Sequence, residues 1–493
     1  MKRKNRILAM LLAAMMLSSA MTSCGGTEDP AGSTSEADSA PEQTVPEETE
    51  PETKAIDLLP DTKYDGYTFN ILSTNPDTLW GWRVSIYAEE ETGEPLNDAV
   101  FRRNTAIEER YGITIANSAE LDNGSTSTNA KQIAMAGDDI YSIMSYGVKW
   151  QLVDALTGCF MNLNTISTID FEHSWWNSEA GDLLTQHNKL FVGFNEMNTF
   201  GNEGLYSLYV NNDIVAANQL ESPYELVKDG TWTLDAMYGM STAAALDLDG
   251  NTEMSEGDVI GFVAGVGSWN AFLTGAEQPH VRIGEDGSYI LTHGTDGSIA
   301  AAEKIARLIN DKNSAAYRND QGWSSGSFAA GSALFFEGAI ADISVMREVD
   351  IGLGIVPAPK FDEAQKQYHA MMSNQTMTIA VPKTNKNLEA TGVICEALGA
   401  YSSDSLRETY YEDMLKGKAA RDEETIEMLD IIIDSQSIDV GVLNENSWGT
   451  IISGYFSSMR KSGATELASY AASNKKMADK LIAQISDTYA GIE

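Results

Sequence analysis

The residues in this 493-residue chain best suited to chemistry are the oxygens of one short run, Asp247-Leu-Asp249-Gly-Asn251-Thr-Glu253-Met-Ser255-Glu-Gly-Asp258. Asp247, Asp249, Asn251, Glu253, Ser255 and Asp258 fall at loop positions 1, 3, 5, 7, 9 and 12, the spacing with which an EF-hand-like loop surrounds Ca²⁺. Gly250 stands at position 4, Thr252 replaces the usual glycine at position 6, and Asp258 is shorter than the usual closing Glu. A structural Ca²⁺ in an insertion and an acidic surface turn both fit this run; no other cofactor is expected. The chain has no Gly-x-x-x-x-Gly-Lys phosphate loop, and none of its five histidines forms an HExxH pair. With 72 Asp and Glu, a glycosidase-like pair of carboxylates can be drawn almost anywhere, so acidity carries no catalytic signal. The expectation is a non-enzyme.

Cys24 is a second chemical position. Lys2, Arg3, Lys4 and Arg6 form a basic start, and Ile7 to Leu17 an apolar run too short to span as a mature helix. Met21-Thr22-Ser23-Cys24 resembles a lipoprotein signal, with Ser23 at the small position and Met21 where Leu is usual. The resemblance implies that residues 1–23 are removed and that Cys24 carries acyl chains. The protein would then be extracytoplasmic, lipid-anchored to the outer face of a bacterial cytoplasmic membrane. An ordinary secretory signal is the alternative, and no later segment is apolar enough to cross a membrane.

Net charge is −39, and loss of the four basic signal residues takes it to −43. Such a field repels nucleic acid and anionic lipid. Cys159 and Cys395 lie far apart in sequence, which argues against a disulfide framework but leaves one long-range bridge open. A 43% hydrophobic content over this length supports a large core in two or more lobes.

Residues 24–62 are Ser, Thr, Pro, Ala and Glu with few aliphatic side chains, the composition of an extended acidic tether. Beyond it, Tyr67 to Leu72 reads as a strand, Asn97 to Tyr111 as a helix ended by Gly112, Ile113 to Ile115 as a strand, and Asp139 to Met144 as another. This alternation predicts an α/β fold with a parallel sheet. Ligands of open sheets bind beyond the strands' carboxyl ends, which makes Ser73, Thr74, Asn75, Ser145 and Tyr146 rim candidates. Further strands are expected at Leu190–Phe194, Leu205–Val210, Gly331–Phe336, Ile351–Val356 and Met377–Val381, with helices dominating after Leu388.

Several blocks together resemble the family 1 extracellular solute-binding proteins, the lipoprotein receptors of carbohydrate-type ABC importers. They are Phe328 to Phe336, Asp350 to Lys360 with Asp362-Glu-Ala-Gln365 and Tyr368, Trp175-Trp176-Asn177, Tyr224 to Val227, Asp229 to Thr233, and Thr378 to Lys383. No block is specific alone; their shared order over residues ~65 to ~490 carries the resemblance. It implies a type 2 periplasmic-binding-protein-like fold of two α/β lobes that close on a ligand. Lobe 1 would take residues 63–190 and 370–400, lobe 2 residues 205–360, and helices from 388–493 would pack across both. Hinges are expected near Val210 and Thr376–Ile379. Val210 departs from the family's tyrosine ahead of Asn211, and the length implies insertions.

The resemblance also implies a carbohydrate ligand, an oligosaccharide, handed to membrane permease subunits. Sugars need flat aromatic platforms beside polar groups. Trp175, Trp176, Trp269, Trp323 and Trp448 occupy polar or glycine-rich segments, and Trp80 and Trp82 straddle Gly81 after the first strand. Glu337 and Asn374 are candidate hydrogen-bonding partners. Trp232, before a helix, reads instead as a packing anchor. A surface glycan-binding or glycan-cleaving lipoprotein, or a receptor for a non-sugar solute such as a peptide, are the alternatives.

Overall fold

A computed structural model describes residues 54–75, 86–198, 203–265, 267–317, 321–346, 349–416, 423–462 and 466–492. The signal, Cys24, most of the tether, Trp80 and Trp82 lie outside the described residues. So does the side chain of Trp323. Residues from Thr53 onward form one compact unit.

The first sheet begins with β1 (Thr68–Thr74), β2 (Thr114–Glu120) and β3 (Ile143–Gly147). β1 runs parallel to both neighbours, pairing Thr68 with Thr114 and Ile71 with Ile143. Two helices make the crossovers. Pro95–Tyr111 starts with Pro at its first position, where the missing N–H breaks no bond. It ends at Gly112, whose φ of 68° a side chain would disfavour. Val100, Ile107 and Tyr111 form its buried face, as their spacing predicts. Arg103 on that face is buried, and its guanidinium donates to Ile86 O, Met197 O and Ser402 Oγ. Asn123–Ala136, capped by the Asp122 carboxylate, leads to β3. That strand starts at Ile143 rather than Asp139.

The second sheet comprises β4 (Tyr206–Asn211), β5 (Ile260–Ala264), β8 (Ala315–Tyr317), β9 (Ala333–Ala339) and β10 (Leu353–Val356). Between β5 and β8 runs a hairpin of β6 (Val281–Ile283) and β7 (Tyr289–Leu291). The order is β10-β4-β9-β5-β8, with β5, β8 and β9 parallel and β4 antiparallel to both of its neighbours. All seven residues of β9 are buried, so it reads as an apolar run interrupted only by Glu337. Trp232 is the predicted anchor: it packs on Phe335, its indole N–H donates to Pro357 O at 2.9 Å, and Thr233 caps Leu234–Ala244.

The chain returns through β11 (Ala370–Met371) to β12 (Met377–Ala380), which joins the first sheet antiparallel to β3. β13 (Gln436–Ser437) pairs parallel with β11. The expected strand Leu190–Phe194 is instead a buried extended strip bridged at Gly193 to Ile379. Of the expected hinge positions, Met377–Ile379 lie in β12 and Val210 in the second sheet. Val210 pairs with Gly354 on one side and Phe335 on the other. The crossing segments lie just outside, where Leu205 bridges Met372 and Ser373 N–H donates to Gly204 O at 2.9 Å.

Helix Leu388–Tyr401 packs against Pro95–Tyr111, Glu423–Asp434 against β10, and Thr450–Ser462 between Asp296–Asn310 and the last helix, Leu467–Gly491. Lys189 ties down the end of that helix by donating to the carbonyls of Tyr489, Ala490 and Ile492. Cys159 and Cys395 are both buried and free, which closes the option of a bridge.

Candidate functional site

Where the two sheets meet, the carboxyl ends of β1 and β3 face the crossing segment Ser373–Thr376. Thr74 Oγ1 donates to Asn123 Oδ1 at 2.9 Å, and the same oxygen accepts Gly147 N–H at 2.8 Å. Asn123 Nδ2 reaches Gln375 Oε1 at 3.4 Å, and Asn374 Nδ2 donates to Glu445 Oε2 at 2.7 Å. Gly147 opens helix Val148–Ala155, which places Lys149 and Trp150 at this junction. Lys149 N–H bonds Asn374 O, and its ammonium lies 4.6 Å from the centre of the Trp150 ring. Burial lowers the Lys149 pKa, against the pull of Glu445. Trp150 is half-buried, and Gly147 lies close against its ring.

On the side of the second sheet, Tyr206 lies between the crossing segment and the buried Glu337. Glu337, 1% exposed, accepts from Ser268 Oγ at 2.8 Å through one carboxylate oxygen, while the other has no partner among the described residues. Burial, helped by Asp342, pushes its pKa up to about 8 although the Ser268 bond works the other way, so the group is largely a neutral acid at pH 7. Burial likewise moves Asp342 up to about 6. The Tyr206 phenol is held well above its usual range by burial and these acids. Gly267 is required here, since a Cβ would come within 2.6 Å of Tyr206 and 2.8 Å of Glu337 Oε1.

The aromatic candidates are rearranged by the structure. Trp175 and Trp176 are not platforms: both are buried, and their indole N–H groups donate to the two oxygens of Glu396 at 2.9 and 2.7 Å. His173 Nδ1 and Asp170 N–H join the same carboxylate. Trp269 is buried against Tyr455 and Phe456, and Trp448 is buried with Tyr289 nearby. Neither presents a ring face. Tyr146 points inward, its hydroxyl donating to Asp154 at 2.7 Å, and Ser73 and Thr74 are buried in the strand end. Among tryptophans with described side chains, only Trp150 is not fully buried. Sequence reasoning missed it, although it follows the predicted rim Ser145-Tyr146-Gly147 by three residues.

Gly322-Trp-Ser324-Ser-Gly326 has the spacing of a nucleophile elbow. It lies within helix Gln321–Ala329, with Ser324 fully buried, rather than at a strand-to-helix turn. That geometry exposes no nucleophile.

In the acidic loop, carboxylate oxygens of Asp247, Asp249 and Asp258 lie within 4.8 Å of one another. Asp247 also accepts the N–H groups of Gly250 and Thr252, and Asp258 those of Leu248 and Ser255, so the loop is wound by its own carboxylates. Thr252 takes a φ of 68° where a glycine would be unstrained. Two expected ligands are engaged elsewhere: Glu253 pairs with Lys312, and the Asn251 amide bonds Asp249 and Glu253 N–H.

Two α/β sheets joined by crossing segments make up a fold of the periplasmic-binding-protein type, shared with solved binding proteins. Solved structures with this fold include the GacH receptor of Streptomyces glaucescens, determined unliganded and with acarbose (TM-score 0.55, 13% identity, covering 85% of this chain and 99% of that one). The ABC substrate-binding protein Lmo0181 from Listeria monocytogenes, in complex with cycloalternan, aligns over 87% of this chain and 100% of its own (TM-score 0.52, 15% identity). UgpB from Mycobacterium tuberculosis, in complex with glycerophosphocholine, aligns over 80% and 97% (TM-score 0.54, 14% identity). No family model and no curated protein matches the sequence.

Proposed function

We propose that this protein is an extracytoplasmic, lipid-anchored receptor that captures an oligosaccharide between its lobes and delivers it to the permease of an ABC importer. The observation that carries the reading is the half-buried Trp150, the one tryptophan with a described side chain that is not fully buried, beside Lys149 and the Asn374–Glu445 pair in a fold of two α/β sheets. A sugar would lay a C–H face on the ring and turn its hydroxyls toward the polar groups. Binding without turnover is the expected activity, because the solved structures that share the fold are of binding proteins. Lipid anchoring rests on the segment ending at Cys24. Among the described residues no helix is long and apolar enough to cross a membrane.

A thermal-shift screen against neutral mono- and oligosaccharides tests this, since a ligand at 100 times its Kd stabilises by about 2.7 kcal/mol. Trp150→Ala should weaken the best hit at least tenfold and leave the unliganded melting temperature within a few degrees. Stabilisation by glycerophosphodiesters or peptides alone would replace sugar by another solute, a reading that the likeness to UgpB keeps in view. Products released from an oligosaccharide would overturn the receptor assignment.

Asp247, Asp249 and Asp258 are proposed to hold a structural Ca²⁺. Adding Ca²⁺ to chelator-treated protein should raise the melting temperature, and Asp249→Asn should remove most of that shift. The same response to Mg²⁺, or none to Ca²⁺, would reduce the loop to a surface turn.

A further inference from the structure

A second site is suggested away from the junction, by a cation with no carboxylate partner among the described residues. The protein carries 33 Lys and Arg against 72 Asp and Glu, so a surface Arg has carboxylates in surplus to pair with. Arg102, Arg110, Arg307 and Arg407 each have such a partner. Arg460, half-buried in helix Thr450–Ser462, has none among the described residues. Its guanidinium stacks 3.9 Å from the centre of the Tyr317 ring, and Nη1 donates to Asn310 Oδ1 at 2.6 Å. A guanidinium has five N–H donors; this one bond is the only one formed to a described residue. Burial lowers the Arg460 pKa, against the pull of Tyr317.

The surroundings are an open cavity of about 990 Å³ along β8, the edge strand of the second sheet. Lys461 adds a second cation to its lining, while Arg307 and Lys312, also there, are paired with Asp235 and Glu253. Of the acids there, Glu253 is taken by Lys312, and Glu303 is exposed with no bond to Arg460. A planar fork held by a ring and an amide, at the wall of a cavity with surplus positive charge, matches the bidentate geometry of a carboxylate or phosphate.

We infer that this cavity binds an oxyanion, with Arg460 as the fork, Tyr317 and Asn310 as its supports and Lys461 as a second charge. The oxyanion is a free phosphate ion or the carboxylate of an acidic sugar; both offer the same paired oxygens. The site is separate from the junction and does not depend on the receptor reading. It would let the second lobe sense or hold an anionic solute that the overall charge of −39 repels elsewhere.

Calorimetric titration of the full soluble chain with inorganic phosphate and with galacturonate, against potassium chloride at equal ionic strength, tests this. Saturable binding of either oxyanion supports the site, and which one binds identifies the source. Arg460→Lys keeps the charge but loses the fork and should weaken binding at least tenfold; Arg460→Gln should abolish it. Trp150→Ala should leave it unchanged, which separates this result from the test of sugar capture. No binding beyond the chloride control, or equal binding by the parent and both Arg460 variants, would overturn the inference.

Discussion

Relative to the parent, a Glu203→Gln variant should gain roughly 4–5 kcal/mol of stability between pH 4.5 and pH 8. Glu203 lies at the start of the crossing segment, buried, with one carboxyl oxygen unpartnered among the described residues, and burial alone pushes its pKa from 4.5 up to about 8. The folded protein therefore keeps the proton while the unfolded chain releases it above pH 4.5. The stabilisation from this raised pKa is fully present below 4.5 and is lost as pH rises through 8. Glutamine cannot titrate, so the variant escapes the loss; its amide donors add only an offset that does not vary with pH. Glu337, also raised to about 8, should behave the same way. His280 and His293, hydrogen-bonded to each other at 2.7 Å and held neutral by burial, act oppositely, losing stability as pH falls below 6.5. They are common to parent and variant and drop out of the difference. Urea denaturation of both proteins across this range gives the slope; a difference that stays constant with pH would contradict the account.

Glu396→Ala should destabilise the protein by about 3–5 kcal/mol. The Glu396 carboxylate is the shared acceptor for Trp175, Trp176, His173 and the Asp170 backbone. Alanine leaves two buried indole donors unpaired and opens a cavity beneath them. Glu396→Gln keeps the volume and one accepting oxygen, so roughly half the loss is expected. Denaturant midpoints measure the effect, and near-ultraviolet circular dichroism should show the two indoles losing their fixed environment. A loss below about 1 kcal/mol for alanine would mean that water replaces the carboxylate.

These two results concern residues that the sequence presents in very different ways. Trp175-Trp176 stands among Glu172, His173 and Asn177, and that polarity suggests an open position. Its partner, Glu396, lies 220 residues away within an apolar helix, where a lone acid is a strong hint of a buried acceptor. Local pattern was enough for β1, the helix after it and β2, because Val100, Ile107 and Tyr111 repeat on one face and Gly112 fixes the end. It was also enough for Thr233 and Trp232, whose roles are set within a few residues.

Pattern failed where a role depends on which strand lies beside which. Val210 looks like a strand end, yet it pairs with both Gly354 and Phe335. The expected strand Gly331–Phe336 stops short of Glu337, which lies within β9 and accepts from Ser268 of a helix distant in sequence. Trp150 stands between Lys149 and Gln151, but its place is set by the β3 end and by Lys149 bonding Asn374, a contact between segments more than 200 residues apart that no local pattern shows. The calcium-like spacing was legible, whereas the diversion of Glu253 to Lys312 was not.

The central claim is that the two lobes close on a sugar at the Trp150 junction. Small-angle X-ray scattering of the protein with and without its best-binding oligosaccharide tests it most directly. The account predicts a smaller radius of gyration with ligand, and no change for Trp150→Ala at the same concentration. An unchanged radius for the parent at saturation, or equal compaction in the variant, would contradict it.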